Sequence, residues 1–238
     1  MNGPRGAAPR AVRSAPAPRR RTRQCLPRAG CVLAVCAHPD DESFGLGAVL
    51  AAFSGQGARV RVLCFTHGEA STLGQTSRSL GEVRAEELRA AAAVLGVEHA
   101  ELLSYPDGNL AGVPEGELAE LAGDALIDVD LMLVFDQGGI TGHPDHCQAT
   151  AAALLAARRH QLPVLAWALP EEVAAQLNAE FGTTFAGRPE SELDIVIDVV
   201  RARQRSAIAC HASQAGDNPV LWRRLELLGA SEHLRWLT

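Results

Sequence analysis

Lysine is absent: all 22 basic residues of this 238-residue chain are arginine, which together with an excess of alanine reads as coding bias rather than a binding device. Aromatic residues make up only 4% against 47% hydrophobic, so the core must be built from Ala, Leu and Val. No stretch reaches the roughly 18 uninterrupted apolar residues of a membrane-spanning helix. The six cysteines (Cys25, Cys31, Cys36, Cys64, Cys147 and Cys210) form no CxxC pair, which argues against a thiolate metal site or a disulfide framework and for reduced thiols. No repeat period and no Gly/Ser linker divides the chain, and its length suits one substantial core.

What is present starts with an asymmetry of charge. The net charge is −6, yet residues 1–28 hold eight Arg and no acid. The remaining body is therefore strongly acidic and a poor candidate for a nucleic-acid backbone. Residues 1–28, rich in Arg, Pro and Ala and without apolar periodicity, are expected to be a disordered tail, and 29–238 a single domain. "RRRTRQ" followed by "AGCVLAVCA" imitates a signal peptide. Cleavage after Ala37 would, however, remove a strand that leads directly into an acidic motif, so a soluble, cytoplasmic protein is expected.

Short apolar runs at 31–37, 59–66, 100–105, 130–136, 163–169 and 194–199 predict strands. Between and after them, 46–55, 80–95, 116–126, 145–160, 171–181 and 200–211 read as helices. The alternation predicts βαβ units in a three-layer, doubly wound, Rossmann-like α/β domain with a mainly parallel sheet. In such folds ligands bind beyond the carboxyl ends of the strands. Four polar loops meet there: "HPDDE" at 38–42, "THGE" at 66–69, "YPDG" at 105–108 and "DQGGITGHPDH" at 136–146.

His38 and Asp41, three residues apart beside Pro39, can bend toward one point, and His146 can supply a third ligand. Two imidazoles and a carboxylate suit Zn²⁺ with an open position, at which water acidifies to a pKa of roughly 7. The same set serves non-haem Fe²⁺, so zinc is preferred and iron is the alternative. Residue types alone leave open which of Asp40 and Asp41 binds metal. Asp145 reads chiefly as a first-turn acid favoured by the helix dipole.

"AHPDDESFGLGAVLA", "THGE", "GEVRAEEL", "YPDGNL", "GHPDH" and "RQRSAIACHASQ" resemble, in order and spacing, the LmbE-like (PIG-L) zinc-dependent N-deacetylases over residues 31–215. The resemblance implies His38, Asp41 and His146 as zinc ligands, Asp40 as general base, and His143, best as imidazolium, at the oxyanion. It implies Arg84 and Asp107 as contacts to sugar hydroxyls; the plain alternative for Arg84 is an i,i+3 pair with Glu87. It gives His211 and Gln214 to a terminal motif whose role it leaves open, a structural role being at least as expected as a functional one. The implied substrate is a small N-acetylglucosamine-type conjugate, with no nucleic acid and no membrane, and homo-oligomers occur in the family. An amidase of mycothiol-type thiol conjugates and a non-catalytic sugar- or metal-binding module are the alternatives. Thr141 replaces a tyrosine used by some mycothiol-pathway members, and Tyr105 is the single tyrosine, so a phenolic acid is not expected. The short chain after residue 215 predicts a small or openly bound aglycone.

Overall fold

The computed structural model describes residues 24–74 and 76–238. Residues 1–23 of the expected tail lie outside the described residues. Residues 24–28 do not behave as tail: Gln24 N donates to Val196 O at 2.9 Å, and Leu26 is buried in the core.

A seven-stranded sheet runs in the order β3-β2-β1-β4-β5-β9-β8. Its strands are β1 (Cys31–Cys36), β2 (Arg59–Thr66), β3 (His99–Tyr105), β4 (Leu131–Phe135), β5 (Val164–Trp167), β8 (Ile195–Asp198) and β9 (Ser231–Trp236); β6 (Leu169–Pro170) and β7 (Gly187–Arg188) pair separately. The first five strands in this order are parallel, and β9 is antiparallel to both β5 and β8. The expected mainly parallel α/β architecture is therefore the one observed.

The three layers follow from the period of two along a strand. In β1, Val32, Ala34 and Cys36 face one core cluster, while Cys31, Leu33 and Val35 face the other. The first cluster is covered by α2 (Gly47–Gly55), α3 (Leu80–Leu95) and α8 (Ala202–Cys210), contributing Leu50, Phe53, Leu88, Leu95 and Ala207. The second is covered by α4 (Glu115–Asp124) and α6 (Pro144–His160), through Leu118, Ala122 and the alanines 149–157 of α6. Small residues on α6 let it lie close to the sheet, which is how a chain poor in aromatics still fills its interior.

The expected helix at 171–181 is α7 (Glu171–Phe181); elements beyond the expected set include the short helices α5 (Gly139–Gly142) and α9 (Ala212–Ala215), β9, and α10 (Pro219–Leu228), capped by Asn218, whose side chain accepts from Leu221 N. The expected strand at 163–169 is split at Ala168, whose N–H turns to His233 O on β9. Pro170, with no N–H, cannot extend a central strand and closes the small second sheet instead. Among the described residues no helix is long and apolar enough to cross a membrane.

The strand order reverses at β1, with β2 on one side and β4 on the other. The crevice between the carboxyl ends of β1 and β4 is the place where such sheets bind ligands. The loop after β1 carries His38–Asp41, and the loop after β4 carries His143–His146.

Candidate metal centre

A four-residue helical turn, α1 (Asp41–Phe44), follows β1 after the short loop 37–40, with Asp40 at its N-cap in a left-handed conformation, φ 111°. A non-Gly residue there costs about 1–2 kcal/mol and persists only when its neighbours enforce it. Glu42 does so by accepting Asp40 N at 2.9 Å, and its other oxygen meets His211 Nε2 at 2.6 Å. Glu42 and His211 are both fully buried. The late motif thus reaches the site through the Glu42 carboxylate and through Gln214, which borders the cavity and accepts from Ser71 Oγ at 2.7 Å.

Asp41 is fixed by backbone: its Oδ2 accepts from Ala37 N and His38 N, each at 3.0 Å. Its Oδ1 lies 3.1 Å from His146 Nε2, which lies 3.1 Å from His38 Nδ1; His38 Nδ1 is 3.9 Å from Asp41 Oδ2. Donor atoms bound at about 2.0–2.1 Å to one tetrahedral ion sit roughly 3.3 Å apart, so this triad has the spacing of a metal site. Burial pushes the Asp41 carboxyl up, but the adjacent His146 and His38 outweigh it and hold the group well below the ordinary range. His146 and His38 are raised in turn despite burial, His38 to about 10, by their carboxylate partners. A cluster that holds positive charge this strongly fits a cation.

The outer partners orient the rings. His146 Nδ1 donates to Gly139 O at 3.1 Å, leaving Nε2 for the centre. Gly139 (φ 65°) has no room for a side chain, since a Cβ would lie 2.8 Å from that of His146. On the other side of His38, Nε2 faces Asp107 Oδ1 at 3.0 Å and Asp145 Oδ2 at 3.3 Å.

Asp145 was legible only as a helix-start acid, but its role is larger. It is fully buried and also accepts from Gly108 N at 2.7 Å and Leu110 N at 3.1 Å. It therefore ties the loops after β1, β3 and β4 together. A second grouping, His38, His143 and Asp145, also has ligand-like spacing. Asp145's oxygens are already engaged and inaccessible, so His38, Asp41 and His146 form the better set.

Asp40 stands beside the triad. Burial and the Asp41 charge push its pKa up to about 6, against the pull of Arg84, whose Nη2 donates to Asp40 Oδ2 at 2.9 Å. Arg84 is 3% exposed and also donates to Pro39 O and, at 2.6 Å, Gly68 O. The Glu87 pair does not form: Glu87 accepts from Ser213 N and Oγ. Most of the Arg84 fork is spent on the loop that carries Asp40, although the side chain still borders the cavity. Asp107 likewise borders it, with Oδ2 accepting from Ala70 N at 2.8 Å. Tyr105 points away, donating to Glu117.

His143 caps α6, accepting Asp145 N on Nδ1 at 3.2 Å. Burial, His146 and His38 lower its pKa. In place of the expected imidazolium the ring is therefore neutral, and because Nδ1 accepts the Asp145 N–H, its proton sits on Nε2. These residues line one cavity of about 660 Å³, which Val220, Leu221 and Arg224 of α10 also border. Residues after 215 thus border the site.

Two imidazoles and a carboxylate at the switch point of a parallel sheet, with the Arg84-paired carboxyl of Asp40 beside them, define the class of a metal-dependent hydrolase. The model of the PIG-L family, GlcNAc-PI de-N-acetylase, matches residues 33–157, and the chain belongs to this family of N-deacetylases. It is 32% identical to a 1D-myo-inositol 2-acetamido-2-deoxy-alpha-D-glucopyranoside deacetylase of Acidothermus cellulolyticus, over 79% of this chain and 81% of that protein. Among solved structures, N,N'-diacetylchitobiose deacetylase from Pyrococcus horikoshii superposes with a TM-score of 0.63 at 23% identity, covering 88% of this chain and 84% of that one. A 4-carboxy-2-hydroxymuconate hydratase from Pseudomonas putida shares the fold with a TM-score of 0.60 at 20% identity, covering 87% of this chain and 96% of that one. The fold therefore hosts more than one chemistry, and the site has to choose between them.

Proposed function

We propose that this chain hydrolyses the acetamide of an N-acetylglucosamine-type sugar conjugate, with zinc held by His38 Nδ1, Asp41 Oδ1 and His146 Nε2. The observation that carries the reading is the convergence of these three atoms beside Asp40 in one cavity. Zinc, when bound, supplies Lewis acidity that acidifies a water and polarises the acetamide carbonyl.

The side chains do the rest. Asp40, oriented through Oδ2 by Arg84, has Oδ1 free to take the proton of the attacking water and to hold it until the C–N bond breaks. Delivery of that proton to the departing nitrogen completes the balance: acetate and a free amine leave. His143 donates from neutral Nε2–H to the carbonyl oxygen as negative charge gathers there. Arg84 and Asp107 border the sugar side of the cavity, Arg84 chiefly by holding the Asp40 loop and Asp107 with its carboxylate near His38. Six free thiols fit a reducing compartment, and we place the reaction in the cytoplasm.

The test is mass identification of the products from N-acetylglucosaminyl-inositol and aryl N-acetylglucosaminides. Acetate and amine in equal amounts are expected. A larger acid released from a thiol conjugate would transfer the reading to the amidases, and a cleaved glycosidic bond would end it.

A further inference from the structure

The cavity runs from the His38 cluster to Arg224. Paired acids and bases line it at His38; Phe44, Phe135, Ile140, Phe185 and Leu221 supply apolar wall, and Ser71, Thr72, Gln214 and Asn218 supply polar groups. A ladder of rings joins the ends: His146 to Phe135 at 5.1 Å, Phe135 to Trp167 at 5.6 Å, and the Arg224 guanidinium over Trp167 at 5.2 Å.

Arg224 is 9% exposed, and among the described residues no carboxylate forms an ion pair with it; Glu232, Asp40 and Asp41 act on it only from a distance. Nη2 donates to Phe44 O at 2.8 Å, and Nε is buried with no partner among the described residues. Glu232, which acts on it electrostatically, is already engaged by Arg201 Nη1 at 2.5 Å and Trp167 Nε1 at 2.6 Å. The other arginine in the lining, Arg84, is paired with Asp40. Burial lowers the Arg224 pKa to about 10, so the group is still a cation at neutral pH. A buried cation without an ion-pair partner is costly, and a neutral polyol aglycone, whose hydroxyls Ser71, Thr72, Gln214 and Asn218 of the lining can meet, would still leave it unpaired.

We propose that the aglycone carries an anionic group, a carboxylate or phosphate held by Arg224, on an apolar body packed between Phe44, Phe135 and Phe185. This rests on the deacetylase reading of the same cavity. A guanidinium backed by an indole face is suited to a planar oxyanion, and the apolar walls strengthen the pairing by excluding water.

The test compares matched N-acetylglucosaminides whose aglycone is 4-carboxyphenyl, 4-phosphonooxyphenyl or the uncharged 4-carbamoylphenyl. kcat/KM is followed by amine release in the zinc-loaded protein, and binding is followed by calorimetry in Asp40→Asn. At least one anionic conjugate is expected to lead the carbamoyl one by tenfold or more, mainly through KM; which one leads separates carboxylate from phosphate. In Arg224→Gln the rates should come within twofold, and Arg224→Lys should restore part of the preference. A ratio near one in the unmodified protein, or a tenfold ratio that survives Arg224→Gln, overturns the proposal. The unmodified protein decides by itself if the variant does not fold. Equal amine release from all conjugates would sink the anion site and leave the deacetylase standing, whereas Arg224-dependent binding without amine release would do the reverse.

Discussion

Asp145→Asn offers a sensitive probe of how the metal centre is built. The aspartate is fully buried and accepts three hydrogen bonds, from His38 Nε2 at 3.3 Å, Gly108 N at 2.7 Å and Leu110 N at 3.1 Å. Asparagine has nearly the same shape, but one of its two terminal atoms becomes a donor. If its oxygen stays with Gly108 and His38, its NH₂ group meets Leu110 N–H, donor against donor. One charge-assisted bond is lost and one buried N–H is stranded, which costs about 2–4 kcal/mol of stability. The weaker acceptor on His38 should also lower metal affinity by roughly 10- to 100-fold, as loss of an outer-shell partner does. Chelator competition measures the second effect, and urea unfolding of the metal-stripped protein measures the first. Zinc affinity within twofold of the unmodified protein, in a variant that has lost stability, would refute the idea that Asp145 orients His38 and reduce it to a loop tie.

Other expectations follow from the same geometry. Gly139→Ala places a Cβ 2.8 Å from that of His146 at a φ of 65°, so a loss of about 2 kcal/mol or more in thermal unfolding should accompany weaker zinc binding. His143→Gln should lower kcat by roughly 10²–10³ with little change in KM, because its Nε2–H acts on charge that develops only during reaction. His211→Leu frees Glu42 and with it the left-handed Asp40; kcat should fall at least tenfold while zinc titration stays near normal. Burial, helped by Arg201, pushes the His233 pKa down to about 4, whereas the unfolded ring titrates near 6.5. Between those values the unfolded chain binds more protons, so this ring's contribution falls as pH drops from about 6.5 to 4, by at most about 3 kcal/mol. Denaturant titrations of His233→Gln should show a shallower acid loss than the unmodified protein over that window.

The parallel part of the sheet was legible because β1 and β4 are uninterrupted apolar runs buried on both faces and β2 becomes one after Arg61. β9 was not, because the two residues it buries are Glu232 and Leu234; the glutamate is accommodated only by Arg201 and Trp167, which no local pattern reveals. α10 does carry a helical period, burying Leu221, Arg224, Leu225 and Leu228. An arginine among leucines at buried spacing was the one local sign of an unusual pocket. The motifs of His38 and His146 stood out by themselves, the choice of Asp41 over Asp40 came only with the family resemblance, and the outer partners could not be found. Asp145 looks like any first-turn acid, and Arg84 like any helix-surface cation, until the loops after β1, β2 and β3 converge.

The most direct test of the central claim pairs two variants with two readouts, zinc content and amine release from an N-acetylglucosamine conjugate. Asp40→Asn should keep stoichiometric zinc and lose at least a hundredfold in kcat, while His146→Ala should lose zinc and activity together. An Asp40→Asn protein that turns over at the unmodified rate, or a His146→Ala protein that binds zinc as tightly as before, would contradict the assignment of base and ligand.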